Sequence, residues 1–141
     1  MRAESTAIVV AIQLGLAAIL GVAGSRAQTT VIQTIAMKSG ETLDLGPVYY
    51  VQQQTCRSLA IAKPEAEILE GPPDVAVTIK EGEVVPRAQG CSNKVRGGQL
   101  LLTAPKEIDD PSFARLVIRI THKTRDGDRK FSAVYNLSLI P

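Results

Sequence analysis

The sequence predicts an all-β domain in which two antiparallel sheets pack face to face. Short runs rich in Val, Ile, Leu and Tyr recur along the chain, and turn residues interrupt them about every eight to twelve positions. Helical periodicity is nearly absent from residues 28–141. Asp126-Gly127 separates the last two runs, and an Asp-Gly pair is typical of a tight β-hairpin turn. Together these features indicate a sandwich of seven or eight strands.

The N-terminal segment, residues 1–27, has the features of a signal-peptide helix. A short charged region precedes an uncharged stretch from Ser5 to Ser25, and Ser25-Arg26-Ala27 places small residues at the two positions that a signal peptidase reads. We expect cleavage before Gln28, which leaves residues 28–141 as one domain, periplasmic or secreted, with no stable membrane insertion. The alternative is an uncleaved anchor, because about 20 apolar residues are enough to cross a bilayer.

Ten runs have the composition of strands, and we expect some of them to merge or to be loops. They are Val31–Met37, Thr42–Leu45, Val48–Gln53, Cys56–Ala62, Ala66–Leu69, Val75–Ile79, Glu83–Arg87, Gln99–Thr103, Ala114–Lys123 and Lys130–Ile140. Their number and spacing favour an immunoglobulin-like or fibronectin-like arrangement. The chain has no Trp, so the buried tryptophan of antibody domains is missing and the core must be aliphatic.

The last two runs predict a specific hairpin register. If Asp126 and Gly127 are the two central residues of a type I′ turn, Arg125 lies opposite Asp128 and Ile118 opposite Tyr135. In that register one face of the hairpin is largely apolar and the other largely polar, as a half-buried sheet requires.

Composition excludes some functions and suggests a disulfide. The net charge is only +2 at pH 7, which is too small for the electrostatic footprint of a nucleic-acid-binding protein. Cys56 and Cys91 are the only cysteines, and an isolated pair in an exported chain is most simply a disulfide. With one histidine and no C-x-x-C motif, we expect no metal site, no redox motif and no cofactor.

No motif predicts catalysis. The single histidine, His122, falls on the apolar face of the hairpin, where we expect it to be partly buried beside Phe131 rather than to act as a general base. Carboxylates cluster on the stretches 65–70, 81–83 and 109–110, but none has the spacing of a calcium loop, and we interpret them as solvated charges. The sequence therefore predicts that the protein is not an enzyme.

The stretch RAQGCSNKVRGGQL, residues 87–100, is the candidate binding surface. A Cys56–Cys91 bridge would gather the cations Arg57, Arg87, Lys94 and Arg96 at one end of the molecule, and Gly97-Gly98 could turn backbone N–H groups outward into an anion-binding nest. The alternative is a solvated loop in which the two glycines simply turn the chain into the next strand.

Four short motifs of the chain resemble those of small exported bacterial proteins with immunoglobulin-like sandwiches. They are CRS at residues 56–58, C-x-x-x-V-x-G-G at 91–98, EGPP at 70–73 and NLSLIP at 136–141. The resemblance covers most of residues 28–141 and implies a periplasmic location and a non-enzymatic binding role. It carries over no catalytic residue.

These features predict a binding or scaffolding module that docks another cell-envelope protein, through an exposed edge strand or through the basic disulfide end. Two alternatives remain open. One is a small-ligand or acidic-glycan binder that uses the same basic end, and the other is an inhibitor that inserts a loop into an envelope hydrolase.

Overall fold

The computed structural model describes residues 32–141, which form seven strands and one 3₁₀ helix. The strands are β1 (Gln33–Lys38), β2 (Thr42–Val48), β3 (Glu65–Glu70), β4 (Ala76–Val84), β5 (Val95–Thr103), β6 (Ser112–Thr124) and β7 (Gly127–Ile140), and the 3₁₀ helix is Arg87–Gln89. The predicted signal-peptide helix and its cleavage site lie outside the described residues. Within residues 32–141, no helix has the length and apolar character needed to cross a membrane.

The strands form the predicted two-sheet sandwich. One sheet has the order β1-β7-β6-β3 and the other the order β2-β5-β4. The groups β3-β6-β7 and β2-β5-β4 correspond to the C-F-G and B-E-D groups of a seven-strand immunoglobulin constant-type domain.

Strand β1 departs from the expectation that every strand pair is antiparallel. It runs parallel to β7, with Ile35 opposite Leu137, instead of pairing with its sequence neighbour β2. The tight turn at Ser39–Glu41 carries the chain from one sheet to the other, so the pairing partner left for β1 is the edge of β7. In that position Ile35 and Met37 are buried.

The core lies between the sheets and is aliphatic, as the composition predicts. Alternate residues of each strand point inward, as the two-residue period of a strand requires. Leu102 of β5, Leu116 and Ile118 of β6 and Leu137 of β7 are at most 1% exposed. These side chains belong to one cluster with buried residues of β1, β2 and β4, so a single core holds both sheets together.

The β6–β7 hairpin forms, but its predicted register is wrong by two residues. Arg125 and Asp126 make the turn, Thr124 lies opposite Gly127, and Ile118 lies opposite Ala133 instead of Tyr135. A type I′ turn over Asp126-Gly127 needs positive φ at both residues, whereas only Gly127 has it, at 108°. Because the shift is an even number, the same side chains still face the core.

Three predicted runs differ from the observed elements. Val48 ends β2, whereas residues 49–53 and the run Cys56–Ala62 form no full strands and make only the isolated bridges Val51–Ser58 and Ala60–Thr124. Glu83–Arg87 is divided, because β4 ends at Val84 and Arg87 begins the 3₁₀ helix. These differences fall in or next to the connections between strands, where packing against other elements determines the backbone conformation.

Three connections meet at one end of the sandwich, which we call the disulfide end. They join β2 to β3 (residues 49–64), β4 to β5 (85–94) and β6 to β7 (125–126). The antiparallel order within β2-β5-β4 and β3-β6-β7 places these alternate connections at the same end. The candidate site lies here.

Candidate functional site

The predicted Cys56–Cys91 disulfide is present and ties two of these connections together. The two Cα atoms are 5.7 Å apart, and Cys91 is only 4% exposed. The Asn93 side-chain amide adds a second tie by donating to the Cys56 carbonyl oxygen at 3.2 Å. The bridge joins loop to loop, unlike the inter-sheet disulfide of antibody domains.

The long β2–β3 connection folds back on itself and then docks on β6. The Gln52 amide donates to the Arg57 carbonyl oxygen at 2.9 Å, and the Leu59 amide to the Tyr50 carbonyl oxygen at 2.9 Å. Farther along, the Ile61 amide donates to the Lys123 carbonyl oxygen at 2.9 Å. This backbone pairing holds Arg57 and Tyr50 at fixed positions beside the β6–β7 turn.

One cavity of about 500 Å³ opens between this connection and the β6–β7 turn, and we call it the arginine pocket. Its lining includes Arg57, Arg125 and Arg129, with Asp126 as the single carboxylate. All three arginines are exposed. Exposed Leu59 and Ile61 lie on the same lining, so the pocket combines positive charge with apolar surface.

The three guanidinium groups are available to a ligand. Within residues 32–141, none of them lies within 4 Å of a carboxylate oxygen, although other arginines form such pairs. A guanidinium group presents its donors in a planar fork that fits a carboxylate or phosphate. The arrangement therefore suits an anionic group.

A second cavity, of about 440 Å³, includes Tyr50 in its lining, and we call it the aromatic pocket. Tyr50 stacks on His122 with ring centroids 5.3 Å apart, and Phe131 lies 5.8 Å from both rings. The predicted packing of His122 against Phe131 is thus confirmed. Tyr50 lines both pockets.

His122, the only histidine in the sequence, is buried within this cluster. It is 5% exposed, and burial lowers the pKa of its imidazole below 6.5 because the charged form loses its water. Its Nδ1 atom has no hydrogen-bond partner among residues 32–141. The ring is therefore neutral near pH 7 and contributes flat, uncharged surface to the aromatic pocket.

The predicted basic surface is only partly brought together. Arg57 lines the arginine pocket, but Arg87 and Lys94 are exposed residues of the β4–β5 connection outside its lining. Arg96 lies on β5 and forms an ion pair with Glu81 at 3.2 Å. The cations around Cys91 therefore do not converge on one site.

Gly97 and Gly98 do not form the predicted turn or an outward-facing nest. Both are buried inside β5, between β2 and β4, and neither has positive φ. A Cβ on Gly97 would lie 2.2 Å from the Val48 carbonyl oxygen, and one on Gly98 would lie 2.5 Å from Ile79 Cγ2. These glycines are required by close packing in the central strand.

Sequence reasoning missed Arg125, Arg129 and Tyr50. The signal is the stretch RDGDRK at residues 125–130, where cations flank the turn residues, but on its own this pattern predicts only a hairpin turn. Its cations meet Arg57 only because the β2–β3 connection bonds to the end of β6.

No family model, curated protein or solved structure matches the chain. Among residues 32–141, no group of three or more His, Cys, Asp or Glu side chains is placed to hold a metal ion.

Proposed function

We propose that the protein is a non-enzymatic binding module of the cell envelope that docks an acidic segment of another protein at the arginine pocket. The observation that carries the proposal is the convergence of Arg57, Arg125 and Arg129 on one cavity without carboxylate partners in residues 32–141. Three guanidinium groups left unpaired in one concave site offer a charge that a partner's Asp or Glu side chains would neutralise.

The surroundings of the pocket favour a protein partner over a glycan. Leu59 and Ile61 are 40% and 55% exposed on the pocket lining. Protein interfaces combine apolar surface with arginine and tyrosine anchors, and both kinds of residue are present here. A glycan acid would engage the arginines but would leave the aliphatic side chains in contact with water.

The envelope location rests on two observations of different kinds. The N-terminal 27 residues have the pattern of a signal peptide. The disulfide is of a type that forms and persists in oxidising compartments such as the periplasm or the extracellular space.

The test is affinity capture from an envelope extract of the producing cells, with two variants of equal net charge. The pocket variant carries Arg57→Gln, Arg125→Gln and Arg129→Gln. The control variant carries Lys80→Gln, Arg87→Gln and Lys94→Gln, three exposed cations outside the pocket lining. A captured partner is then purified and titrated against each form.

We expect the wild type and the control variant to retain the same partner, and the pocket variant to lose it. Each charge-assisted hydrogen bond contributes about 1.5–3 kcal/mol, so the pocket variant should bind at least about 100-fold more weakly. An excess of a Glu-rich peptide should displace the partner. The proposal is overturned if both variants retain the same proteins, or if only acidic polysaccharide such as polygalacturonate is held.

A further inference from the structure

We infer that the aromatic pocket receives an apolar side chain from the same partner segment whose carboxylate enters the arginine pocket. This inference rests on the proposed function and specifies its ligand. The ligand class is an extended peptide segment in which a Phe-like or Leu-like residue lies within a few positions of an acidic residue.

The aromatic pocket has the size and walls of an apolar subsite. Tyr50, His122 and Phe131 form three mutually packed rings, and Ile120 and Val48 add aliphatic surface. A cavity of about 150 Å³ is enough to hold benzene, so 440 Å³ accommodates a phenylalanine ring. Phe131 remains 52% exposed, which leaves part of its ring for a ligand.

The two pockets differ in charge as the two parts of such a segment would. The arginine pocket is lined by four charged residues, whereas the lining of the aromatic pocket contains no Asp, Glu, Lys or Arg. Its histidine, His122, is neutral. An uncharged group is therefore favoured in the aromatic pocket. A carboxylate there would lose its water without gaining a cation.

The pockets are close enough for one short segment to fill both. Tyr50 belongs to both linings, and the consecutive residues Gln52 and Gln53 line the arginine pocket and the aromatic pocket respectively. In an extended peptide, side chains two residues apart project from the same face about 7 Å apart. Two pockets that share a lining tyrosine lie within reach of such a segment.

The experiment is a titration of the protein, expressed from the full 141-residue sequence without a histidine tag, with two matched peptides. One peptide is Ac-Gly-Phe-Gly-Glu-Glu-Gly-NH2, and in the other alanine replaces phenylalanine. His122 is the only histidine, so its ring proton signals report on the aromatic pocket without assignment ambiguity. Affinity is measured in parallel by calorimetry.

We expect the phenylalanine peptide to bind about ten to a hundred times more tightly, the range expected for burying one such side chain. It should also shift the His122 signals through its ring current. The variant Phe131→Ala, at a half-exposed site, should remove most of that advantage, so that the two peptides bind it with nearly equal affinity.

The outcomes separate this inference from the proposed function. If both peptides bind equally and the Arg57→Gln, Arg125→Gln, Arg129→Gln variant binds neither, the arginine pocket stands and the aromatic subsite is wrong. If neither peptide binds the wild type, both proposals fail. If the phenylalanine advantage survives Phe131→Ala and His122 does not shift, the side chain lies elsewhere and the inference is overturned.

Discussion

Arginines on two parts of this molecule differ in what lies beside them. On the solvent-facing side of the four-stranded sheet, Arg119 of β6 is paired with Glu67 of β3, its direct cross-strand neighbour. At the disulfide end, Arg57, Arg125 and Arg129 line one cavity without a carboxylate partner among residues 32–141. Sheet register explains the ion pair of Arg119, whereas the other three share one lining carboxylate, Asp126, and none of them pairs with it or with another carboxylate among residues 32–141.

The two parts also differ in how they are held in place. Along β6, pairing with β7 runs the whole length of the strand, and pairing with β3 adds a second partner for residues 117–121. The β2–β3 connection depends on two isolated bridges, a few backbone bonds and the disulfide. The proposed site thus lies where sheet pairing ties the backbone less than along β6, and its geometry depends on few contacts.

Removal of the disulfide should therefore have the largest effect. The variant with Cys56→Ser and Cys91→Ser should lose about 4 kcal/mol of unfolding free energy, the loop-closure contribution of a bridge of this span. Cys56 has φ of 57°, which a non-glycine residue rarely adopts, so the loop should relax and Arg57 should leave the arginine pocket.

Urea unfolding measures the stability change, and titration with the phenylalanine peptide measures binding at the site. The control is the wild type under reducing conditions, which should behave as the double variant does. A loss below about 1 kcal/mol with unchanged peptide affinity would show that hydrogen bonds alone hold the connection.

Acidification should also affect the disulfide end, through His122. Because burial lowers the pKa of its imidazole in the folded state, the unfolded chain binds a proton more readily. The contribution of neutral His122 to stability is full above pH 6.5 and declines as the pH falls below that value. Because His122 is 5% exposed, water screens its positive charge poorly, and protonation of the ring destabilises the folded state.

The measurement is the unfolding free energy from pH 7.5 to pH 5. His122 is the only side chain whose ordinary pKa falls within that range. The variant His122→Gln, which has no charge to gain, should show a flat profile over that range. A titration of the His122 ring signals that gave a pKa at or above 6.5 would contradict the prediction.

Much of the fold could be predicted from the sequence because strands repeat every two residues. The inward faces of β6 and β7 follow from that period, and so does burial of Leu116, Ile118 and Leu137. The period cannot distinguish registers that differ by two residues, so the position of Gly127 in the turn decided between them. Only the backbone geometry supplies that information.

The site could be predicted only in part, since it depends on long-range packing. Cys56 and Cys91 were identifiable from composition alone, and Arg57 followed because it is adjacent to the bridge. The convergence of Arg125 and Arg129 on Arg57 needs the β2–β3 connection to dock on β6, which no local pattern encodes. Gly97 was misread because a glycine required for close packing and a glycine required for a turn look the same in sequence.

The smallest expected effect, that of replacing a single arginine, tests the comparison between the paired arginine of the sheet and the arginines of the pocket. Arg119→Gln should cost about 0.2–1 kcal/mol of unfolding free energy, the usual range for an exposed ion pair, and should leave binding of the phenylalanine peptide unchanged. Arg129→Gln should leave the unfolding free energy unchanged, because its side chain has no carboxylate partner in residues 32–141 to lose. It should instead weaken peptide binding. Urea unfolding and peptide titration of both variants give the four numbers needed. If Arg129→Gln costs as much stability as Arg119→Gln and leaves peptide affinity intact, the arginine at the turn serves the fold, and the two sets do not differ in role.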